Sequence, residues 1–413
     1  MTTTSRKTLI ASRLLTGEKG KEITNGAVTY EDNKIIWVGS ADNLISEPGE
    51  IIDYGDNSTI LPGMIDTHVH LAFDGSANPV ERMKKSTKIE LFALMLRSAR
   101  ELLSVGVTTA RDLGASELLD VEVKNTINSG EARGPRILSV NAPLTVTGGH
   151  CFFMGGEAET VDGVRQAVRK ARRDGADHIK IMATGGNMTP GTLPAEPQFT
   201  QEEMNTIVET AHHYGMKVAA HCHGVEGIRR SIEAGVDSLE HFSFQLPNDD
   251  RRLDMDLVKK AGDGGFYASL TMCASAGPFI NQKPDVFQQD CARIEVDNGV
   301  NIVAGSDSGI DFAPHTEYVF SLEGLAVYGM TNDEVLYAAT SLAAESLGLS
   351  DVTGTLKEGL EADIIVVNGN PREDLGNLRK IQHVIARGIL YIPEFSSEDS
   401  WNQSVKSLQY VPK

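Results

Sequence analysis

Residues 217–242 read KVAAHCHGVEGIRRSIEAGVDSLEHF, and this stretch contains one repeating unit of the fold. The apolar run KVAAHCHG is typical of a buried strand, and DSLEHF begins a second one. Between them, GVEGIRRSIEAG has the spacing of an amphipathic helix that ends at a glycine. A strand, a helix and a strand in this order predict two parallel strands joined by a crossover helix.

The same alternation continues in both directions along the chain. Helical patterns occupy residues 89–106, 159–175, 200–215, 224–235 and 251–265, and FTQEE predicts a capping box with Thr200 as N-cap and Glu203 three residues later. The eight predicted strands are 59–71, 106–114, 136–147, 177–185, 217–224, 237–242, 265–272 and 301–309.

Eight strands alternating with helices predict a (β/α)8 TIM barrel over residues 58–353. The two ends, residues 1–57 and 354–413, carry short alternating runs such as GAVTYEDNKIIWVGS and HVIARGILYI, so we expect a small β-sandwich built from both termini. An open doubly wound sheet is the alternative to the barrel. It usually has a glycine-rich phosphate turn after its first strand, and the sequence shows none.

The bulk composition excludes some classes of partner. The 413 residues include 57 acidic and 38 basic side chains, a formal charge of −19, which argues against nucleic acid. No run of 18 apolar residues predicts a membrane span, and the N-terminus lacks the pattern of a signal peptide. The four cysteines show no paired spacing, so we expect reduced thiols and a cytoplasmic enzyme.

Potential metal ligands fall at the ends of these strands. His68 and His70 in THVH are two apart and therefore point to the same side of a strand, where two imidazoles can chelate a divalent ion such as zinc. An H-x-H pair alone is a weak signal, because chance produces such pairs. His221, His241 and Asp307 follow at the ends of later strands, and the catalytic face of a barrel lies at those ends.

Lys180 lies in the apolar strand HIKIMATGG, where a lysine is costly to bury unpaired. It could extend its amine to solvent at the strand end. Alternatively, a lysine with a lowered pKa could react with CO2 and form a carbamate that bridges two cations.

These segments resemble a known family. PGMIDTHVHL, the Lys180 strand, AAHCHG, LEHF and GSDSG are similar to the motifs of the amidohydrolase superfamily, in the binuclear subtype with a carboxylated lysine. GVTTARDLG, the segment TGGH that ends in His150, and the pair His221 and His223 look like the Xaa-Pro dipeptidase and arginine carboxypeptidase branch. That branch also contains amidases that act on ochratoxin-type amides.

The resemblance implies a site with two divalent metal ions, zinc by default, and CO2 or bicarbonate for carboxylation of Lys180. His68, His70 and Asp307 would bind the first ion and His221 and His241 the second, with Lys180 as the bridge. A hydroxide between the ions would attack an amide of a dipeptide or an N-acyl or aryl-acyl amino acid.

The resemblance also implies roles beyond the ligands. Asp307 would move the proton during this reaction, His223 would donate to the oxyanion, and His150 and His223 would contact substrate. It further implies a large homo-oligomer, up to an octamer.

Three questions stay open at this level. Cyclic-amide, lactone or deaminating hydrolysis, and a scaffold without catalysis, are alternative functions. The loops 185–198 and 273–287 are candidate lids over the site. Arg111 and Asp112 are expected to form a structural ion pair, with substrate carboxylate binding by Arg111 as the alternative.

Overall fold

The computed structural model describes residues 6–248, 250–272 and 290–396. Within them the strands are β1 (Arg6–Leu15), β2 (Glu22–Glu31), β3 (Lys34–Ser40), β4 (Glu50–Asp53), β5 (Ser58–Pro62), β6 (Met64–Val69), β7 (Val107–Asp112), β8 (Arg136–Ser139), β9 (Ile179–Met182), β10 (Val218–Gly224), β11 (Ser238–Gln245), β12 (Tyr267–Ser269), β13 (Asn301–Ile302), β14 (Ile364–Asn368), β15 (Ile381–Ala386) and β16 (Ile389–Tyr391). The α-helices are α1 (Pro79–Lys85), α2 (Lys88–Ser104), α3 (Leu119–Asn128), α4 (Thr160–Arg173), α5 (Gln201–His213), α6 (Val225–Ala234), α7 (Met255–Asp263), α8 (Cys291–Asp297), α9 (Tyr318–Val327), α10 (Asn332–Ala338) and α11 (Ser341–Ser346).

Strands from both ends of the chain form one eight-stranded sheet. Its order is β16-β15-β14-β5-β1-β2-β3, with β4 on the side of β1. Strand β5 lies in the range that the sequence assigns to the barrel, yet it pairs with β1 and β14. Apolar side chains such as Leu9, Val28, Ile60 and Ile364 form a separate core for this sheet.

All eight strands predicted for the middle of the chain are present as β6–β13, and the fold is mixed α/β as expected. They form a three-stranded sheet, β6-β7-β8, and a five-stranded sheet, β9-β10-β11-β12-β13, with parallel pairing throughout. Backbone hydrogen bonds connect the two sheets on both sides. Leu144 N–H donates to Lys180 O over 2.8 Å, and Asp307 N–H donates to His68 O over 2.8 Å.

Local signals in the sequence account for the helix that follows β9. The predicted capping box is confirmed, because Thr200 accepts from the backbone N–H of Glu203 while the Glu203 side chain accepts from the backbone of Thr200. Helix α5 therefore begins where the sequence places it. Its apolar side, including Met204, Ile207 and Val208, is buried in the main core.

Two expectations about the chain's environment can be compared with the described residues. Cys151, Cys222 and Cys291 are free thiols, and Cys273 lies outside the described ranges. Among the helices that the structure describes, none combines the length and hydropathy needed to cross a bilayer.

Candidate metal centre

The predicted ligands converge at the carboxyl ends of the parallel strands. His68 lies on β6, Lys180 on β9, His221 on β10 and His241 on β11, and Asp307 follows β13. All of them, and His70 beyond β6, are buried. A cavity of about 380 Å³ is lined by all of these side chains except that of His68.

Asp307 stands between the two histidines of the THVH motif. Its Oδ1 lies 3.3 Å from His68 Nε2 and 3.1 Å from His70 Nε2. His68, His241 and Asp307 each offer one ligand atom, and these three atoms lie within 4.8 Å of one another. This spacing could hold a metal ion. This imidazole and carboxylate set suits a borderline divalent ion.

A second group of possible ligands contains three histidines. Atoms of His221, His223 and His241 also lie within 4.8 Å of one another, and His221 Nδ1 is 2.9 Å from His241 Nε2. His221 Nε2 faces the carbonyl oxygen of Gly185 at 3.0 Å. Because a carbonyl only accepts, Nε2 carries the proton and Nδ1 keeps a lone pair for a metal.

Lys180 is almost completely buried among these groups. Its side chain is 1% exposed, and its Nζ has no hydrogen-bond partner within the part of the chain that is described. Burial lowers the pKa of Lys180 to about 8, although Glu240 and Asp307 act in the opposite direction. An amine of this kind is costly as a cation and is partly available as a nucleophile near neutral pH.

The electrostatics of the cluster favour ligand forms of its members. Burial, followed by the proximity of His241, lowers the pKa of His221 well below its ordinary value. Burial alone would raise the pKa of Asp307, but His68, His70 and His241 hold it well below its usual range. Neutral imidazoles and an ionised carboxylate are the forms that bind metal ions.

Two of these residues have a left-handed backbone conformation. His241 has φ 71° and Asp307 has φ 58°, both in the left-handed region that favours glycine. Such conformations persist where the surrounding structure imposes them, which happens most often at functional sites.

A buried carboxylate that the sequence analysis missed orients His68. Glu240 Oε2 is 2.8 Å from His68 Nδ1, and its Oε1 accepts from Arg111 Nη2 over 2.7 Å. Since an ionised carboxylate only accepts, His68 carries its proton on Nδ1 and presents Nε2 to Asp307. The signal in the sequence was an acid at position 240 in the middle of an apolar strand.

The expected ion pair between Arg111 and Asp112 is wrong. Neighbouring residues on a strand point to opposite faces, so Arg111 reaches Glu240 and the Thr67 carbonyl, whereas Asp112 accepts from the backbone of Gly114. Arg111 is 1% exposed and does not line the cavity. It is therefore excluded as the binder of a substrate carboxylate.

His150 and His223 both line the cavity, next to the ligand cluster. His223 Nδ1 is 2.8 Å from Ser243 Oγ, and the ring centroids of His150 and His221 are 4.6 Å apart. Burial and then the charge of Arg251 lower the pKa of His223 to about 3. Burial likewise lowers the pKa of His150 to about 4.

The loop 185–198 folds over one side of the cavity. Its Asn187 and Met188 belong to the cavity wall, and the Gln198 side chain accepts from the His150 backbone N–H over 2.6 Å. Whether this loop moves as a lid stays a prediction. The second candidate lid, 273–287, lies outside the described residues.

Parallel strands that carry buried histidines and a carboxylate at their carboxyl ends form a site that could hold a divalent metal ion. Residues 59–390 match the Amidohydrolase family, and the chain belongs to that family. It is therefore an enzyme of the class that hydrolyses amide bonds, as the sequence motifs predict.

Individual relatives resemble nearly the whole chain. Ochratoxinase from Aspergillus niger is 29% identical over 434 residues, covering 94% of this chain and 87% of that protein. The crystal structure of a Xaa-Pro dipeptidase with bound methionine in the active site has a TM-score of 0.83 and 30% identity, covering 94% of this chain and 100% of that one. Imidazolonepropionase from Micrococcus luteus is 26% identical over 406 residues, covering 87% of this chain and 91% of that protein.

Proposed function

We propose that the protein is a binuclear metal-dependent amidohydrolase that cleaves the amide bond of a dipeptide or of an N-acyl or aryl-acyl amino acid. The observation that carries the proposal is the buried Lys180 amine, which lies without a described partner among histidines and Asp307. The neutral form of the amine would add to CO2 and release one proton, so that an anionic carbamate ligand replaces an unfavourable buried cation. The similarity to ochratoxinase and to the Xaa-Pro dipeptidase supports a linear amide as substrate.

The residues fit two divalent ions. Three buried ligand atoms lack a hydrogen-bond partner among the described residues, namely His68 Nε2, Asp307 Oδ1 and Lys180 Nζ. We assign His68, His70 and Asp307 to one ion, His221 and His241 to the other, and carboxylated Lys180 to both. Zinc is the expected metal for this donor set.

Bound divalent ions would supply an activated water and polarise the substrate carbonyl. Asp307 would accept the proton of the attacking water and return it to the leaving amine, which its position beside His68 and His70 supports. If the Ser243 hydroxyl donates to His223 Nδ1, the proton of His223 stays on Nε2, the atom that would donate to the developing oxyanion. His150 would contact the substrate from the opposite loop.

Cyclic-amide hydrolysis is the second candidate, because the chain also resembles imidazolonepropionase. That similarity is weaker in identity and coverage than the similarity to ochratoxinase. A product assay with linear and cyclic amides separates the two functions.

We also propose that β6–β13 close into a barrel and that the terminal sheet is part of a sandwich domain. The backbone hydrogen bonds on both sides of the two parallel sheets support closure. We place the boundary of the terminal domain at Pro62 rather than at residue 57, and the pairing of β5 with β1 and β14 supports this choice. The cytoplasmic location and the homo-oligomer stay predictions.

Metal analysis combined with a Lys180→Ala variant tests the function. The purified enzyme should contain close to two divalent ions per chain and hydrolyse at least one member of a library of Xaa-Pro dipeptides and N-acyl amino acids. Lys180→Ala should lose the metal pair and reduce kcat/KM by more than about 100-fold, since it removes a shared ligand.

The matched control is Lys217→Ala, at the amino end of the neighbouring strand β10, where the lysine lies 3.6 Å from Asp237. This variant should keep both ions and its activity. A folded wild-type protein without bound metal, or full activity in Lys180→Ala, would contradict the proposal.

A further inference from the structure

His223 lies within a group of three histidines, and the proposed binuclear centre uses the other two as ligands. One ring nitrogen each of His221, His223 and His241 lies within 4.8 Å of the other two. The ring centroids of His223 and His241 are 4.2 Å apart with their planes 17° from parallel, and those of His221 and His223 are 4.7 Å apart. All three side chains line the main cavity, so the group presents three imidazoles to one space.

The backbone of β10 and β11 builds this three-histidine group. His221 and His223 are two apart on β10, so their side chains point to the same side of the strand. The parallel register pairs His241 with Cys222, and in a regular strand His241 would follow Cys222 to the opposite face. The left-handed backbone at His241, with φ 71°, interrupts the alternation there. Its ring consequently stacks on the ring of His223.

Hydroxyl groups allow the three rings to turn their lone pairs toward one point. His223 Nδ1 is 2.8 Å from Ser243 Oγ, and His241 Nδ1 is 2.8 Å from Thr271 Oγ1. A hydroxyl accepts as well as donates, so both rings can carry their proton on Nδ1 and keep a lone pair on Nε2. His221 keeps its lone pair on Nδ1, which lies 2.9 Å from His241 Nε2. Two nitrogens bound to one tetrahedral zinc ion lie about 3.3 Å apart at ordinary bond lengths, so this spacing needs little change.

Ligand charge distinguishes the three-histidine group from the rest of the proposed centre. Three neutral imidazoles, with a water in the fourth position, are a sufficient ligand set for zinc. The group therefore needs no anionic bridge. Lys180, in contrast, can join the centre only after its amine has become a carbamate.

We propose that His221, His223 and His241 bind one divalent ion on their own while Lys180 is still an amine. This ion is then the first to load, and carboxylated Lys180 replaces His223 as a ligand when the pair of ions is complete. His223 is thereby released for its role at the oxyanion, since the Ser243 hydroxyl supports either tautomer of its ring. The inference goes beyond the proposed amide hydrolysis, because it concerns metal binding before catalysis.

Zinc binding to metal-free protein tests this site. Lys180→Met cannot form a carbamate, and it should bind one Zn2+ per chain in equilibrium dialysis instead of a pair. Adding His223→Asn, which keeps a polar group near Ser243 and removes Nε2, should weaken this binding by more than about 100-fold. Losing a partner that only orients a ligand already costs about 10–100-fold, and a direct ligand should cost more. X-ray absorption at the zinc edge should count three imidazoles around the ion in Lys180→Met.

The matched control is His150→Asn in the Lys180→Met background. His150 lines the same cavity, with its ring centroid 4.6 Å from that of His221, but it is outside the three-histidine group. This variant should bind zinc as tightly as Lys180→Met alone. Wild type prepared without bicarbonate gives the same test without a change at Lys180, since it should bind one Zn2+ and take up the second when bicarbonate is added.

Other outcomes would overturn the three-histidine site. They are a Lys180→Met protein that is folded by circular dichroism but binds no Zn2+, and one that binds Zn2+ equally well with His223→Asn. Two imidazoles around the zinc, or equal weakening by His150→Asn, would have the same meaning. Amide hydrolysis is assayed separately, so a wild type that cleaves no amide in the library overturns the proposed function and leaves this zinc site standing.

Discussion

Glu240 connects the ligand cluster to the interior of the protein. It is fully buried, and its two oxygens contact His68 and Arg111, while Ser238 Oγ donates to Oε1 over 2.6 Å. These contacts fix both the tautomer and the ring orientation of His68. A side chain that touches no substrate thereby determines which nitrogen faces the metal site.

Glu240→Gln should weaken metal binding by about 10–100-fold, the usual effect of losing a partner that orients a ligand. The amide keeps the shape of the side chain but leaves Arg111 without its counter-charge. Competition with a chelator measures the dissociation constant directly. Glu233→Gln, on the surface of α6, is the control, and unchanged metal affinity in Glu240→Gln would argue against the orienting role.

At the scale of elements, the loop 185–198 is fixed by contacts on both sides. Gly185 N–H donates to Glu196 O, and Gln198 N–H donates to Ala183 O. A Cβ on Gly186 would lie 2.4 Å from the His150 ring, so this glycine permits the loop to approach the histidine. The loop and the TGGH segment therefore pack as one wall of the cavity.

Gly186→Ala should displace His150 and lower kcat/KM by about 10-fold or more, because small misplacements near a reacting group are costly. Unfolding in urea should change much less than activity. Gly163→Ala in α4 is the control, since its Cβ would meet only Thr160 Oγ1 at 3.4 Å and should stabilise the helix slightly. Full activity in Gly186→Ala would show that the position of His150 is unimportant.

At the scale of the whole molecule, a buried acid outside the ligand cluster makes stability depend on pH. Glu317 precedes α9 and is 3% exposed, and neither of its oxygens has a hydrogen-bond partner in the described part of the chain. Burial raises the pKa of Glu317 to about 7; Arg379 acts against the rise and Glu323 adds to it. The folded protein thus favours the protonated carboxyl.

Because its folded pKa exceeds the ordinary value of 4.5, Glu317 contributes stability that is fully present below about pH 4.5. This contribution is lost as the pH rises toward 7. Glu317→Gln should therefore show a smaller decline in the free energy of unfolding between pH 5 and pH 8 than wild type. Urea unfolding at both values measures it, with Glu202→Gln as the exposed control; identical declines in wild type and Glu317→Gln would refute the assignment.

The amino-acid sequence by itself determined the eight parallel strands, the cap at Thr200 and the family of the enzyme. These features depend on local hydrophobic periodicity, capping chemistry and short motifs, and a short stretch of neighbouring residues is enough to encode each of them. The convergence of the ligands follows from the same pattern, since the carboxyl ends of parallel strands meet on one face.

Only the tertiary structure decided which buried charges meet. Arg111 and Glu240 are 129 residues apart, and His68 and Glu240 are 172 apart, so no local pattern could pair them. Because successive side chains on a strand point to opposite faces, Arg111 points away from Asp112. The arginine that lines the cavity is Arg251, which lies on the hairpin after β11. The sequence shows where each charged residue lies along the chain. The partner of a buried charge depends on which strands, distant in sequence, lie beside one another in the fold.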